Sequence, residues 1–409
     1  MKVLEWIAPQ SFVRSVGVLL GGTGLSAAIG VLVLPILTRL YTPADFAALA
    51  AFVGVVATLA VSACLRFELA IPLSEDDAIA INVLALATLS TTLISIALVP
   101  VMLALPFLWE HHPAYLWLTP LGILFAGCYS ALTFWTLRRK AFSLVARNRV
   151  GQAVASASAQ FALSPFGPLG LVIGAIAKDA GGCIGLSLRL VNADRPALAH
   201  VSWAGMRAAF ATYERFPKYS AIEALANSAS MQVPIIMIAA LAGTEAGYLL
   251  LALSVVQAPL GLLGNAVAQV YLARAPEELR ANRLEQFTRE VLAGLVKTGI
   301  APLVLGAALA PLLFPYVFGA QWHRSGVLLA WMTPWIVMQL LVSPIGMALH
   351  VTGHQRAAMI LQLSGLAWRV GMVAAAWSFG FGLSEAHAVS GFGFYCAYLG
   401  VVLWAVRGR

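Results

Sequence analysis

The chain has 409 residues, of which 61% are hydrophobic and only 10% are Asp, Glu, Lys or Arg, and its mean hydropathy is +0.87. A soluble domain of this size could not bury that much apolar surface. The formal net charge is +8, but the sequence contains no basic tail and no nucleic-acid motif. We therefore interpret this charge as loop charge that orients a membrane protein and contacts anionic headgroups, with no nucleic-acid partner.

Long runs without formal charge predict an all-α polytopic membrane protein. A helix needs about 20 apolar residues to cross the hydrocarbon, and the runs and their breakers give twelve spans. The first run is too long for a signal-peptide core, so we interpret it as a span of the mature protein. A Pro-Phe-Gly-Pro turn at 165–168 separates the fifth span from the sixth. The predicted spans lie near 15–38, 43–65, 78–106, 114–137, 148–165, 168–190, 218–242, 246–270, 291–314, 325–350, 357–381 and 386–406.

The distribution of positive charge predicts the orientation of these spans. If the N-terminus is cytoplasmic, the outside connections hold little beyond Arg39 and Arg324. Positive residues favour the cytoplasmic side of a membrane, so we expect both termini to be cytoplasmic. The inside connections then hold Arg138, Arg139, Lys140, Arg147, Arg149, Arg189, Arg195, Arg207, Arg215, Lys218, Arg274, Arg280, Arg283, Arg289, Arg356, Arg407 and Arg409.

Short repeats suggest that the chain is built from two halves. Trp-Leu-Thr-Pro at 117–120 returns as Trp-Met-Thr-Pro at 331–334, and the acidic segment at 74–77 has a counterpart at 275–278. Two repeats of six spans each would have the same orientation in the membrane, an arrangement known from transporters. The predicted architecture is therefore a two-lobe one. It has an N-terminal six-helix bundle at 1–190, a cytoplasmic linker at 191–217 and a C-terminal six-helix bundle at 218–409, with a cavity between the bundles.

The sequence offers little for catalysis. Glu110, His111 and His112 lie in a short predicted outside loop with no third ligand in sequence reach, so we expect no metal site there. The cysteines fall inside predicted spans without CxxC spacing and are interpreted as packing residues. The outside loops are too short to hold the acids and acceptor of a membrane glycosyltransferase, so we do not expect an enzyme.

Charged residues inside the spans or at their edges carry more information. A charge at mid-bilayer costs about 2.5–3.5 kcal/mol on insertion scales, so it usually faces a cavity or a partner. Lys178 and Asp179 are adjacent and point about 100° apart on a helix, so either a cavity or a buried structural pair is open to them. Snorkelling to the interface is the alternative for arginines near a span end and for Lys297. The candidate cavity residues are Arg39, Arg66, Glu68, Lys178, Asp179 and Arg369.

Bases outnumber acids in this embedded set. A positive cavity in a low dielectric favours an anionic headgroup such as a phosphate or pyrophosphate. A cation pump would instead show unpaired acids.

Four segments in chain order resemble a known family. They are Leu-Pro-Ile-Leu-Thr-Arg-Leu-Tyr-Thr-Pro-Ala-Asp-Phe at 34–46, Arg-Phe-Glu-Leu-Ala-Ile-Pro at 66–72, Arg-Phe-Pro-Lys-Tyr-Ser at 215–220 and Phe-Gly-Ala-Gln-Trp at 318–322. The family is that of the oligosaccharide flippases, within the multidrug, oligosaccharidyl-lipid and polysaccharide export (MOP) superfamily. The chain lacks the two extra spans of the related lipid II flippases.

The resemblance implies a function and a location. Family members flip undecaprenyl-pyrophosphate-linked oligosaccharide from the cytoplasmic to the periplasmic leaflet of the bacterial inner membrane by alternating access, for O-antigen, capsule or exopolysaccharide assembly. The implied partners are this glycolipid, the bilayer, a polysaccharide polymerase and a chain-length regulator. No cofactor is implied, and the coupling ion, proton or sodium, stays open. The resemblance carries over to Arg39, Asp45, Arg66, Glu68, Arg215 and Lys218, with Asp45, Arg215 and Lys218 as candidates for a cytoplasmic entrance or gate.

Two other functions stay open at this point. A cation-coupled multidrug antiporter of the same superfamily would need a titrating acid in its cavity, for which Asp179 and Glu68 are the candidates. A membrane enzyme of polysaccharide assembly is the third alternative, and the short outside loops count against it.

Overall fold

The computed structural model describes residues 10–108 and 114–407, and every regular element in these ranges is helical. The first half of the chain forms α1 to α8. A 3-10 helix at Phe67–Leu73 lies between α2 and α3, and the 3-10 turn Ala114–Leu118 precedes α4. The helices are α1 Gln10–Leu40, α2 Pro43–Ala63, α3 Asp77–Leu108, α4 Thr119–Arg138, α5 Phe142–Ala162, α6 Pro168–Ala193, α7 Arg195–Leu198 and α8 Trp203–Thr212.

The second half of the chain forms α9 to α16. π-helical turns at Phe216–Ser220 and Val296–Ile300 lead without a break into α9 and α12, which lengthens both segments. The helices are α9 Ala221–Ala242, α10 Thr244–Arg280, α11 Leu284–Leu295, α12 Ala301–Phe318, α13 His323–Val342, α14 Ala348–Val351, α15 Gln355–Phe379 and α16 Leu383–Arg407.

Eleven helical segments of the described ranges are long and apolar enough to cross a membrane. They correspond to eleven of the twelve predicted spans. The fifth predicted span is present as α5, but Arg147, Arg149 and several polar residues lower its hydropathy. The prediction of an all-helical, multi-span membrane protein is confirmed.

The predicted break between the fifth and sixth spans is also present. The α5 helix ends at Ala162, and Gly167 takes a φ of 58°, in the region that glycine adopts without strain. Pro168 then opens α6, where its missing N–H would have no helical partner in any case.

The helices divide into two compact units. Unit 1 holds the described residues of 1–33 and 51–228, and unit 2 holds 34–50 and 229–407. The unit boundaries therefore fall inside α1, α2 and α9. The division into bundles at 1–190 and 218–409, and the cavity expected between them, stay predictions.

An ion-pair network lies beside the apolar core of unit 1. Arg138 Nε lies 3.1 Å from Asp77 Oδ1, and Arg139 lies 2.5 Å from Asp77 Oδ2 and 3.0 Å from Asp194 Oδ1. Trp135 Nε1 donates to the other oxygen of Asp194 over 3.1 Å. The network ties the ends of α4 and α6 to the start of α3, next to the buried apolar cluster around Phe67.

A second ion-pair network lies in unit 2. Arg324, at the start of α13, donates to both oxygens of Glu245 over 3.1 Å and to Glu385 over 2.5 Å. The two acids belong to the first turns of α10 and α16. The network therefore joins the N-terminal ends of three helices, where acidic side chains also oppose the positive end of the helix dipole. Unit 2 has its own apolar core around Tyr271 and Leu349.

The short sequence repeats do not mark equivalent places in the fold. Pro120 is the second residue of α4, whereas Pro334 lies inside α13. The acidic segment at 74–77 precedes α3, whereas its counterpart at 275–278 lies within α10. These repeats are therefore poor support for a duplicated chain.

Candidate substrate site in the membrane-spanning helices

Arg369 is a fully buried arginine in the middle of a membrane span. It lies on α15 in unit 2, with a relative exposure of 0%. Its Nη1 donates to the carbonyl of Ser230 over 3.4 Å and lies 2.8 Å from the sulfur of Met231, both on α9. Among the described residues, Nε and Nη2 have no hydrogen-bond partner and no acid pairs with this guanidinium. The side chain is therefore a positive charge without a counter-ion in a low-dielectric surrounding.

Aromatic rings surround the Arg369 guanidinium. Its Cζ lies 4.5 Å from the ring centroid of Phe394, 5.7 Å from that of Tyr395 and 5.8 Å from that of Trp335. Such contacts are worth about 2 kcal/mol or more when desolvated, which helps to keep the charged form in place. The rings fit because Gly391, on α16, leaves no side chain where the Trp335 indole lies.

Further unpaired polar atoms lie near this arginine. His387, on α16, is buried and packs edge-on against Trp335 with the ring centroids 5.0 Å apart. Both imidazole nitrogens and Trp335 Nε1 lack a hydrogen-bond partner among the described residues. Most buried polar groups in proteins are paired with protein or ordered water, so this cluster is unusual and marks a candidate site.

A small polar cavity of about 180 Å³ lies between α10 and α13 in unit 2. Three carboxamides and a hydroxyl supply its polar lining, from Gln257, Asn265, Gln339 and Ser343. Gln339 lies one helical turn after Trp335, whose ring centroid is 5.8 Å from Arg369 Cζ, so α13 carries residues of both the cavity and the surroundings of the arginine.

Two larger cavities are mainly apolar. One, of about 350 Å³, lies in unit 2 between α10, α12 and α13 and is lined by residues such as Val256, Leu303 and Phe314. The other, of about 300 Å³, lies in unit 1 between α3 and α4 and includes Met102 and Leu121. Their linings suit hydrocarbon.

Arg66 and Glu68 form a pair in unit 1. Arg66 takes a left-handed φ of 63°, and its Nη1 lies 3.4 Å from Glu68 Oε1. The Glu68 side chain is 3% exposed, and burial raises the pKa of its carboxyl. The structure thus assigns a counter-ion to Arg66 and leaves Glu68 Oε2 without a partner among the described residues.

Lys178 and Asp179 lie on α6 in unit 1. Lys178 is exposed although it stands in the middle of a span, whereas Asp179 is half-buried. In the described part of the chain neither residue forms an ion pair with a third side chain. The predicted alternative of a buried structural pair therefore does not describe Lys178.

The turn between α1 and α2 holds Arg39 and Asp45. Asp45 Oδ2 accepts hydrogen bonds from the backbone N–H and hydroxyl of Thr42, each over 2.8 Å, and so caps the start of α2. Arg39 is exposed and donates to the carbonyl of Tyr316 over 3.4 Å. Asp45 acts locally and does not neutralise Arg39.

Arg215 and Lys218 lie on the surface just before α9. Lys218 Nζ lies 2.8 Å from Glu214 Oε2, one helical turn away, and this hydrogen bond lowers the pKa of Glu214. Lys297, in the π-helical turn between α11 and α12, is also exposed.

The predicted site residues are divided between the two units. Unit 2 contains Arg39, Asp45 and Arg369, and unit 1 contains Arg66, Glu68, Lys178, Asp179, Arg215 and Lys218. The sequence alone did not show which amide side chains line the polar cavity. The spacing of Gln257, Gly261, Gly264 and Asn265 could have shown that they share one face of α10.

The fold is that of known membrane transporters. The lipid II flippase MurJ in its inward closed conformation matches with a TM-score of 0.69 at 13% identity, over 95% of this chain and 87% of that chain. A MATE in complex with MaL6 matches with a TM-score of 0.61 at 12% identity, over 97% of both chains. A MOP superfamily transporter from Pyrococcus furiosus matches with a TM-score of 0.55 at 13% identity, over 97% of both chains.

A family model described as "Polysaccharide biosynthesis protein" matches residues 36–326, which is more than half of the chain. The chain therefore belongs to this family of polysaccharide biosynthesis proteins, and the resemblance seen in the sequence is confirmed at that level. A comparison with curated protein sequences finds no significant match.

Proposed function

We propose that this protein is a flippase for undecaprenyl-pyrophosphate-linked oligosaccharide. It would move this glycolipid from the cytoplasmic to the periplasmic leaflet of a bacterial inner membrane, for O-antigen, capsule or exopolysaccharide assembly. Family membership supports the polysaccharide pathway, and the fold supports transport by alternating access. A polysaccharide polymerase and a chain-length regulator are the proposed partners, and both termini are proposed to be cytoplasmic.

The observation that carries this proposal is the uncompensated charge of Arg369. This guanidinium is fully buried and has no acidic partner in the part of the chain that the structure describes, which favours an anion in its neighbourhood. A pyrophosphate has several anionic oxygens, and each charge-assisted hydrogen bond to one of them is worth about 1.5–3 kcal/mol. Binding a pyrophosphate near this arginine would relieve the electrostatic cost of the buried charge.

Two exposed basic residues contribute further positive charge. Lys178 lies at mid-span on the surface of unit 1, and Arg39 lies at the end of α1. The polar cavity of unit 2 supplies neutral hydrogen-bonding groups that suit sugar hydroxyls. The two apolar cavities suit hydrocarbon such as a polyprenyl chain.

The alternative of a cation-coupled multidrug antiporter has less support. It needs an acid that is free to exchange a proton or a metal ion for the drug. Glu68 already faces Arg66 at 3.4 Å, which leaves Asp179 as the acid for this role among the predicted site residues.

A complementation experiment tests the proposed function. A deletion strain receives the wild-type gene, Arg369→Ala, Arg369→Lys or the control Arg289→Ala, which alters an exposed arginine paired with Glu285 one turn away. Surface polysaccharide and the glycolipid of the cytoplasmic leaflet are then measured. We expect Arg369→Ala to lose surface polysaccharide by tenfold or more and to accumulate glycolipid, with membrane levels of protein unchanged. Unchanged polysaccharide in the deletion strain, together with lost resistance to cationic drugs, would favour the antiporter.

A further inference from the structure

The polar cavity between α10 and α13 has a lining that matches an uncharged sugar ring. We propose that it is the subsite that binds a neutral sugar of the transported glycolipid. This inference rests on the proposed flippase function, and it specifies that unit 2 recognises a sugar of the transported glycolipid. The cavity is lined by Gln257, Gly261, Gly264, Asn265, Gln339 and Ser343, with apolar residues of α10 and α13 between them.

The chemistry of the lining selects a neutral, hydroxyl-rich ligand. A carboxamide presents a carbonyl acceptor beside two N–H donors, and a hydroxyl both donates and accepts. A sugar hydroxyl also donates and accepts, so it can satisfy either end of an amide. The described lining contains no ionisable side chain. A phosphate would therefore meet no cation inside this cavity, whereas a sugar would meet suitable partners.

One buried polar atom of the lining lacks a protein partner among the described residues. Gln339 Oε1 is buried and has no hydrogen-bond partner among the described residues. The residue lies within a membrane span, where polar groups depend on internal partners. A hydrocarbon chain in the cavity would leave this oxygen unpaired, and a sugar hydroxyl would donate to it.

The size of the cavity also restricts the ligand. Its volume of about 180 Å³ is smaller than the roughly 300–1,000 Å³ of pockets that hold drug-sized molecules. Gly261 and Gly264 border open space, because no heavy atom lies within 4 Å of the position a Cβ would take on either residue. The room in the cavity therefore depends on two positions without side chains, and a single ring fits it better than a multidrug substrate.

The position of the cavity connects it to the buried charge. Gln339 of the cavity lining lies one helical turn after Trp335 on α13, and the Trp335 ring centroid is 5.8 Å from Arg369 Cζ. A sugar in the cavity would thus contact the same helix as the Trp335 ring, which packs against the guanidinium proposed to attract the pyrophosphate. The neutral sugar would contact the polar cavity, and the anionic pyrophosphate would lie near Arg369, in the same unit.

Binding of two related lipids tests the subsite. The full chain in lipid nanodiscs is titrated with undecaprenyl pyrophosphate and with the undecaprenyl-pyrophosphate oligosaccharide isolated from the deletion strain. Gly264→Leu fills the cavity, Gln339→Leu removes its amide, and Gly400→Leu is the control, since this glycine on α16 also borders open space but does not line the cavity. We expect both cavity variants to bind the oligosaccharide lipid at least tenfold more weakly, with less than a twofold change for the lipid without sugar.

Other results overturn the subsite. Equal weakening for both lipids would show that the cavity serves the pyrophosphate or the chain, and unchanged binding of both would show that it serves neither. In these two cases the flippase proposal stands. Failure of the wild-type protein to bind either lipid would instead remove the proposed function and the subsite with it.

Discussion

The indole Nε1 of Trp322 donates a hydrogen bond to the backbone carbonyl of Thr38 over 2.9 Å, across 284 positions of sequence. Gln321 donates to the same carbonyl over 3.1 Å. The Trp322 ring lies 4.8 Å from that of Phe46, centroid to centroid. The segments 34–46 and 318–322, which separately resemble the flippase family, are thus parts of one packed assembly in unit 2. Both segments therefore contribute to the packing around the turn between α1 and α2.

The first prediction concerns this assembly. Trp322 is fully buried, so Trp322→Ala is expected to destabilise the protein by about 3–5 kcal/mol, the range for truncating a large buried aromatic residue. Trp322→Phe should lose less, because it retains most of the packing. Thermal unfolding in detergent measures both variants. Trp331→Ala, which alters an exposed tryptophan, is the control, and an equal loss in that variant would contradict a specific role for Trp322.

The second prediction concerns the ion-pair network of unit 1. Asp194 is buried and accepts from both Arg139 and Trp135. Asp194→Asn should destabilise the protein by about 1–3 kcal/mol, since it removes a charged acceptor while Arg139 stays partly exposed and retains Asp77. Glu290→Gln, at an exposed position outside this network, should change little. Thermal unfolding measures both variants, and the same small effect in each would contradict a stabilising role for Asp194.

The third prediction concerns the pH dependence of stability. Burial raises the pKa of Glu68 above its ordinary value of 4.5, so the folded protein holds this proton more tightly than the unfolded chain does. The stabilisation from this proton is complete below pH 4.5 and is lost as the pH rises through the folded pKa. The stability of wild type relative to Glu68→Gln should therefore fall over that window. Unfolding midpoints of the two proteins at several pH values measure it, and a constant or rising difference would contradict the prediction.

The fourth prediction separates stability from function at Arg369. Burying a charge without a paired counter-ion costs free energy, and an apolar residue of similar volume removes that cost. We therefore expect Arg369→Met to keep or raise the unfolding temperature while transport falls by tenfold or more. Arg289→Met, at an exposed position, should alter neither quantity. A variant at Arg369 that unfolds more readily and transports normally would show a purely structural arginine.

Much of the fold follows from local rules that the sequence displays. The break at 165–168 is set by Pro and Gly, and the spans are set by long apolar runs. The surroundings of each embedded charge, in contrast, are not determined by the neighbouring sequence. The surroundings of Arg369 come from Ser230, Trp335 and Phe394 on three other helices, so no window of sequence contains them.

The counter-ions of some basic residues were also undetermined from the sequence. Arg324 was predicted to be one of the few positive residues in the outside connections. It pairs with Glu245 and Glu385, which lie 79 and 61 positions away. Only the packing of α10, α13 and α16 brings these first turns together. By contrast, Arg66 and Glu68 are close in sequence, and their pairing could have been anticipated.

The central claim is that this protein moves a polyprenyl-pyrophosphate oligosaccharide between leaflets, and its most direct test is a leaflet assay. Purified protein is reconstituted into liposomes containing that glycolipid, with proton or sodium gradients of either sign, and a membrane-impermeant lectin measures how fast the sugars reach the opposite face. We predict that wild type raises this rate at least tenfold over protein-free liposomes, and that Arg369→Met removes most of the increase. A wild-type rate equal to that of protein-free liposomes under every gradient would contradict the claim.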